Sequence, residues 1–364
     1  MRAVALLLLA VALSAATAVG FDGRQHSGRL ELLADGVRID GVTVPLADLD
    51  SVTLEGTVLP RTPGAFGVLL VDGSWLPARA LAVAGSDRLV VEGTLGRLEL
   101  PLEAVIGWGS PELPPVGTDD ALTVASGVLR GRLLGIADGR LRLQSALDPE
   151  PLLLAVGDVR AARLVNPARR VAGPRLRLAG EPAAPALDLL LRPGAIVLAA
   201  APQVAVDPAV LGGRSLRVEG GRRAYLSDLR PSEVREDGHF GVVWPHSRDR
   251  ALGGGDLLLG GIRHGKGLVV HAPAMLAWRL EGAYARLRAQ VGISDEVAPE
   301  GDCLATLSGD GRVLWQARLR GGEPAVALDL PLAGIDRLEL VLAIGERQDI
   351  GDHVVLGDAQ LIRR

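Results

Sequence analysis

The chain of 364 residues is poor in cysteine, lysine and aromatic side chains, and its charge is close to balanced. Its one cysteine, Cys303, excludes an intramolecular disulfide and is expected to be a small buried apolar residue. A formal net charge of −4 gives no reason to expect nucleic acid or an anionic membrane as a partner. Lys266 is the single lysine, and the dominance of arginine suggests a GC-rich bacterial genome. Aromatic residues make up 3% of the chain, so the position of each ring is informative.

Sequence motifs of hydrolytic enzymes are also missing. The chain contains no G-x-S-x-G nucleophile turn and no H-E-x-x-H zinc motif. A glycosidase needs two carboxylates across a cleft, and Asp295, Glu296, Asp352 and Asp358 are the candidates. We therefore expect a protein that is not an enzyme, with an undetected glycoside hydrolase as the catalytic alternative.

The first twenty residues have the pattern of a targeting segment. Arg2 precedes an apolar run over 4–13, and small side chains follow at 16–18. This order is typical of a secretory signal peptide over residues 1–20, with an N-terminal membrane anchor as the alternative. The later apolar stretch 187–206 is broken by charges and prolines, so no membrane span is expected after signal cleavage. The sequence predicts a secreted, periplasmic or cell-surface protein.

The chain up to about residue 220 has the pattern of successive β-hairpins, because Asp-Gly pairs separate short alternating apolar runs. Residues 67–108 and 125–164 follow the same strand pattern. We predict small β units over 21–110, a related unit over 118–166 and a β-rich connecting region over 175–220. The units resemble Sm-like or SH3-like meanders or barrels, and a plain β-sandwich is the alternative. They are expected to act as scaffold or adhesion modules with protein partners.

The composition changes at Tyr225. Five of the six histidines, three of the five tryptophans and both tyrosines lie in 225–364. A pyranose ring packs its C–H face on an aromatic ring, and its hydroxyls bond to acidic, arginine or histidine side chains. This clustering is typical of a sugar site, and it is equally typical of a better-packed core.

Four segments in this part carry a family resemblance. They are AYLSDLRPSEV (224–234), GIRHGKGLVVHAPAMLAWRLEGAYARLRAQVGISDE (261–296), GDCLATLSGDGRVLWQARLRGG (301–322) and LDLPLAGIDRLELVLAIGERQDIGDHVVLGDAQL (328–361). Together they resemble the NPCBM family of carbohydrate-binding modules over 222–364. The resemblance implies a galactose-binding-like jelly-roll β-sandwich that binds glycans, galactose-containing ones in some members. It also implies a structural calcium ion in some members, and no other cofactor is expected.

Four residues are predicted to contact the sugar. Trp244 lies in a loop, where an indole can serve as an apolar platform. His271 is expected on the strand face opposite Val270, where its imidazole can bond a sugar hydroxyl; a half-buried histidine bonded to the backbone is the alternative. Asp352 and His353 match the acid–histidine run of the family and complete the set of hydroxyl partners.

Neighbouring positions are expected to have ordinary roles, and one favours a rival function. Lys266 is expected to be solvated in a turn, His264 to be exposed and Trp278 to pack in the core. Val-Val-Leu at 354–356 stands where the family has an acid and a tryptophan. This departure favours the alternative that the protein is a structural or protein-interaction scaffold whose jelly roll has lost sugar binding.

Overall fold

The computed structural model describes residues 13–57, 66–109, 113–145, 147–178, 186–238, 241–346 and 348–364. Every regular element in these ranges is a β-strand or a short 3-10 turn, which confirms the prediction of an all-β protein. The chain divides into two compact units, one ending at Gly221 and the other beginning at Arg222. Within the described ranges no helix has the length and hydropathy of a membrane span.

The first unit contains four meanders of five strands each. Strands β1–β5 are Leu13–Gly20, Gln25–Leu32, Gly36–Ile39, Val42–Pro45 and Leu49–Leu54, and β6–β10 are Gly67–Leu70, Trp75–Ala84, Arg88–Gly93, Gly96–Pro101 and Val105–Gly109. Strands β11–β15 are Asp120–Val124, Gly127–Ala137, Arg140–Gln144, Leu152–Leu154 and Ala161–Arg163. Strands β16–β20 are Arg175–Leu178, Leu187–Arg192, Ala195–Leu198, Ala205–Val206 and Ser215–Glu219.

All four meanders share one strand order. In each, the first four strands are neighbours in sequence and in the sheet, and the fifth returns to pair with the first. A 3-10 turn precedes the fifth strand in the last three meanders, at Leu102–Ala104, Val156–Asp158 and Pro208–Leu211. The prediction of small β-meander units in this part of the chain is therefore confirmed.

The meanders join in pairs through their fifth strands. β5 pairs with β20, and β10 pairs with β15, so that two ten-stranded sheets form. The region 175–220, predicted as a connecting region, thus contains the fourth meander and completes the sheet that β1–β5 begin. The sequence of this region does not reveal the repeat. β17 and β18 are largely buried on both faces, so they lack the alternation of a half-exposed strand.

One hydrophobic core extends over both sheets of the first unit, with side chains from all four meanders. A polar contact links the second and fourth meanders: the backbone N–H of Asp188 donates to the Ser74 hydroxyl over 3.0 Å. The buried Asp188 carboxylate accepts hydrogen bonds from Arg175 and Arg177. A charge removed from water needs such partners, and these two arginines hold the pKa of Asp188 low against the burial that raises it.

The predicted signal peptide overlaps strand β1, which lies between β2 and β5 in the first sheet. Ala16 and Ala18, the small residues of the predicted cleavage site, are fully buried in the core. Residues 1–12 lie outside the described ranges. Export of the protein stays a prediction.

The second unit contains the remaining thirteen strands. β21–β26 are Arg223–Tyr225, Glu233–Glu236, Ser247–Arg248, Leu257–Leu259, Ile262–His264 and Gly267–His271. β27–β33 are Ala274–Arg279, Tyr284–Ile293, Asp302–Gly309, Arg312–Arg320, Val326–Pro331, Arg337–Ile344 and His353–Arg363. One sheet has the order β23-β26-β33-β28-β31, with β21 also pairing with β33, and the other has the order β22-β27-β32-β29-β30.

These two antiparallel sheets enclose one hydrophobic core, which confirms the predicted β-sandwich. Trp278 and Cys303 are buried in it, as expected. Because successive side chains of a strand point to opposite faces, Leu268 and Val270 face the core while Val269 faces outward. The hairpin β24–β25 covers this outward face of the sheet and packs its leucines against Val269 and Val355.

Candidate functional site

A pair of histidines lies at the end of the two central strands of the six-stranded sheet. His271 ends β26, His353 begins β33, and the two are direct partners in the antiparallel register. Their ring centroids are 5.2 Å apart in an edge-to-face arrangement. The imidazoles are 5% and 8% exposed, respectively, so the pair is largely covered.

The loop between β22 and β23 brings Trp244 to this pair. The indole centroid lies 6.3 Å from that of His271 and 5.7 Å from that of His353, and 42% of Trp244 is exposed. The Glu236 carboxylate anchors the loop, because it accepts from both the backbone N–H and Nδ1 of His246. Three of the four predicted contact residues thus meet at one place, with the tryptophan as the accessible member.

Asp352, the fourth predicted residue, lies on the other side of the strand. Its exposed fraction is 0%, and its Oδ1 accepts a hydrogen bond of 2.6 Å from the Asp302 backbone N–H. Because His353 faces outward, the alternation of the extended chain turns the preceding side chain inward. Asp352 is therefore separated from the other three predicted residues, and its bond to a sugar hydroxyl stays a prediction. Burial raises the pKa of its carboxyl to about 6, and the charges of Asp302 and Asp349 add to the rise.

Two other carboxylates flank the histidine pair. Asp349 Oδ2 lies 3.6 Å from His271 Nε2, and Glu296 Oε2 lies 3.9 Å from His353 Nδ1. Asp349 is nearly buried, whereas the Glu296 side chain is 35% exposed. Asp349 lies in the acid-rich segment 348–358 before the last strand, but no spacing in the sequence marks it as a neighbour of His271. Glu296 could have been found from strand pairing, since β28 ends beside Val354 and Glu296 follows three residues later.

The histidine pair is electrically neutral at neutral pH. Burial and, to a smaller extent, the neighbouring His271 together lower the pKa of His353 to about 4. Burial also lowers the pKa of His271, although Asp349 opposes that change. The Nδ1 atoms of both rings are buried and have no hydrogen-bond partner among the described residues. Each neutral ring therefore keeps an unused polar atom at the contact with Trp244.

A cleft of about 740 Å³ opens next to Trp244, and the chain from Pro245 to Gly254 lines it. Its lining residues are Pro245, His246, Ser247, Arg248, Arg250, Leu252, Gly253 and Gly254. Glu296 lies against the cleft at Gly253, where an added β-carbon would fall 2.1 Å from its Oε1. Glu296 therefore lies between Gly253, a lining residue of the cleft, and the ring of His353.

Lys266 has a structural position rather than the solvated one expected. Its ammonium donates to the carboxylates of Asp228 and Asp249 and lies 5.8 Å from the centre of the Tyr225 ring. His264 is buried, contrary to expectation, because its ring packs over Gly357, where no β-carbon would fit. These contacts fix the chain that leads into β26.

The calcium ion implied by the family resemblance stays a prediction. Among the described residues no three or more His, Cys, Asp or Glu side chains converge as metal ligands. Asp295, one of the acids near the site, uses both carboxylate oxygens to accept from the backbone N–H groups of Gly260 and Gly261. It therefore closes the β24–β25 turn.

Comparison with known proteins shows that the second unit is similar to a known family of domains. Residues 222–362 match the model of the NPCBM/NEW2 domain family, which confirms the resemblance seen in the sequence. A protein of Renibacterium salmoninarum named "Putative endo-alpha-N-acetylgalactosaminidase" is 28% identical over 159 residues. The match covers 39% of this chain and 10% of the relative, so the chain spans about a tenth of that protein's length.

Solved structures of similar proteins include two with CBM51 modules. The CBM51 of Clostridium perfringens GH95, in complex with methyl-galactose, is 24% identical, with a TM-score of 0.35; the match covers 38% of this chain and 99% of that one. The tandem CBM51 modules of Sp3GH98 from Streptococcus pneumoniae are 13% identical, also with a TM-score of 0.35. That match covers 82% of this chain and 88% of the other.

Proposed function

We propose that the protein is an exported, non-catalytic glycan-binding protein whose second unit binds the sugar at Trp244, His271 and His353. The observation that carries the proposal is an exposed indole packed on two buried imidazoles, each with an unpartnered ring nitrogen. The match of 222–362 to a carbohydrate-binding domain family supports the same function. Galactose-containing glycans are the first ligands to test.

Trp244 supplies the apolar surface of the site. An exposed tryptophan in a loop can pack on the C–H face of a pyranose, and the energy of such a contact is about 0.5–1.5 kcal/mol beyond the area buried. The half-exposed Glu296 carboxylate lies close enough to His353 to accept hydrogen bonds from hydroxyls at the rim of the same sugar. Single sites of this kind bind in the micromolar to millimolar range, roughly −4 to −8 kcal/mol.

The unpartnered imidazole atoms favour a polar ligand at this place. Buried polar atoms in folded proteins nearly always have a hydrogen-bond partner, because an unmade bond costs about 1–3 kcal/mol. A sugar hydroxyl that reached Nδ1 of His271 or His353 would supply the missing bond. The Trp244 ring, which covers both imidazoles, would turn aside as the sugar enters.

The carboxylates near the site support binding rather than hydrolysis. Glycoside hydrolysis needs two carboxyl groups that both reach the scissile bond. Asp352 is fully buried and Asp349 nearly so. Both oxygens of Asp295 are bonded to backbone amides. Glu296 is then the accessible acid of this group, and one carboxylate does not make a glycosidase.

The proposal is tested by binding of glycans to the full chain. We expect hits on a glycan array and a titration by calorimetry that Trp244→Ala weakens at least tenfold, about 1.4 kcal/mol. The unfolding temperature should stay unchanged, because the indole is largely outside the core. His271→Ala should weaken binding as well.

Val242→Ala is the matched control, since it shortens an exposed apolar side chain of the same loop. It should leave binding intact. A folded wild-type chain that binds no glycan on the array would overturn the proposal and favour the scaffold alternative. Release of free sugar from chromogenic glycosides would overturn its non-catalytic part.

A further inference from the structure

We propose that the cleft beside Trp244 binds an anionic group of the glycan through Arg248 and Arg250, so that the protein selects acidic over neutral glycans. This inference rests on the proposed sugar site and adds its substrate class. The chemistry recognised is a carboxylate or sulfate oxygen, for which arginine offers a planar fork of N–H donors.

The charges of the cleft carry the inference. Arg248 and Arg250 both line it and both are exposed. Neither forms a salt bridge with another described residue, unlike several other arginines of the second unit, such as Arg318 with Asp302 and Arg337 with Glu233. Two unneutralised guanidinium groups in one concave surface attract an anion more strongly than they would on a flat one.

Asp249, the residue between them, directs its carboxylate to Lys266 and to the backbone of β26, and it forms no salt bridge with either arginine. Asp249 Oδ2 accepts from Lys266 Nζ over 2.8 Å, and Oδ1 accepts from the Gly267 N–H over 3.0 Å. Burial raises the pKa of the Asp249 carboxyl, but these bonds outweigh it and hold the pKa below its ordinary value. Because Lys266 also pairs with Asp228, these three groups together keep one negative charge, against the two positive charges of Arg248 and Arg250.

The same contacts fix the backbone that carries the two arginines. Arg248 lies in β23 and pairs with Leu268 of β26. Asp249 has a φ of 61°, in the left-handed region, and its N–H donates to the Gly267 carbonyl over 2.9 Å. The fixed backbone keeps both arginines at the cleft, and ordering their exposed side chains on an anion costs rotamer freedom that the charge-assisted bonds must exceed.

Glu296 connects the cleft to the sugar site. Its carboxylate lies against Gly253 in the cleft wall and within 3.9 Å of His353 in the histidine pair. A sugar packed on Trp244 would therefore have Glu296 as an acceptor for its hydroxyls. Its anionic substituent would extend along the cleft toward the arginines and away from the Glu296 charge.

The experiment compares matched ligands on the full chain. Binding is measured by calorimetry for a neutral galactoside, its uronic acid form and its sulfate ester, in 20 and 500 mM NaCl. We expect at least one anionic form to bind about tenfold or more tightly than the neutral one in low salt, and this preference to shrink in high salt. The two anionic ligands distinguish a carboxylate site from a sulfate site.

The decisive variant is the double substitution Arg248→Gln/Arg250→Gln. It should abolish the preference for the anionic ligand and leave affinity for the neutral ligand unchanged. Arg312→Gln removes an exposed arginine of the other sheet and should keep the preference. Equal affinity of the wild-type chain for neutral and anionic ligands overturns this inference alone. Binding of none of the three overturns it together with the sugar site.

Discussion

At the scale of single residues, the site depends on buried groups whose ionisation is costly. Asp352 and His353 are neighbours in sequence on opposite faces of one strand, and burial shifts their pKa values in opposite directions. Burial disfavours the charged form of each group, so the acid keeps its proton to higher pH and the imidazole loses its proton at lower pH. Their effects on stability therefore oppose each other as the pH changes.

The signs follow from proton linkage. The pKa of Asp352 is about 6 in the folded protein against 3.8 for the ordinary group, so its part of the stability falls as pH rises from about 4 to 6. The pKa of His353 is about 4 against 6.5, so its part rises from about pH 4 to 6.5. The parts of Asp352 and His353 should nearly cancel across this window, while the lowered pKa of His271 adds a rise of its own.

Asp352→Asn should remove the falling part and leave the rising one. We expect its unfolding free energy to increase between pH 4 and 6.5 by up to about 3 kcal/mol relative to the wild-type profile. Urea unfolding at half-unit pH steps measures this slope. His353→Gln is the complementary variant and should give the opposite slope; parallel profiles for all three proteins would contradict the assignment.

Part of this site can be predicted from the sequence, because successive side chains of a strand point to opposite faces of the sheet. Alternation in 267–272 predicts His271 on the face of Val269, and in the structure its ring contacts those of Trp244 and His353. The same rule applied to 352–353 would have turned Asp352 inward. Glu296 is among the candidate acids of the sequence, but the contacts of Glu296 with His353 and of Asp349 with His271 join residues more than 50 positions apart, which no local pattern contains.

At the scale of elements, the pairing of fifth strands makes two sheets out of four meanders. β10 and β15 approach each other closely at Gly107, where an added β-carbon would lie 2.2 Å from the carbonyl oxygen of Ala162. A backbone atom cannot turn aside as a flexible side chain can. The glycine is therefore required by the distance between the two strands.

Gly107→Ala should separate β10 from β15 and destabilise the first unit by about 1–3 kcal/mol. Thermal unfolding of the full chain measures the loss. Gly157→Ala is the matched control, because Gly157 precedes β15 and has no atom within 4 Å of an added β-carbon. Equal unfolding temperatures of the two variants would contradict the close approach.

The burial of individual strands explains why the sequence predicts the sandwich of the second unit but not the fourth meander of the first. Half-exposed strands such as β32 alternate in sequence and reveal their period. The largely buried β17 and β18 do not alternate. The sequence of 175–220 therefore predicts a β-rich region but not the order of its strands. Pairing partners such as β5 with β20 depend on contacts between residues more than 150 positions apart, which no local pattern contains.

At the scale of the whole molecule, each unit has its own hydrophobic core. The second unit also joins its own beginning and end, since β21 pairs with β33 over Arg223–Ile362 and two further residue pairs. A body with a separate core and paired terminal strands has what independent folding requires.

The fragment 222–364 should therefore fold without the rest of the chain. We expect near-ultraviolet circular dichroism of a packed protein and an unfolding temperature within a few degrees of the corresponding transition in the full chain. The fragment 222–352, which lacks β33, is the control and should stay unfolded. A 222–364 fragment without a cooperative transition would contradict the independence of the unit.

The position of β33 has a consequence for synthesis in the cell. This strand lies at the centre of its sheet, between β28 on one side and β21 and β26 on the other. Until the ribosome has released residues 353–363, the edges of β26 and β28 stay open to pairing with other nascent chains. The sandwich must therefore form after translation of its final strand, and it is in this interval that a chaperone would be needed.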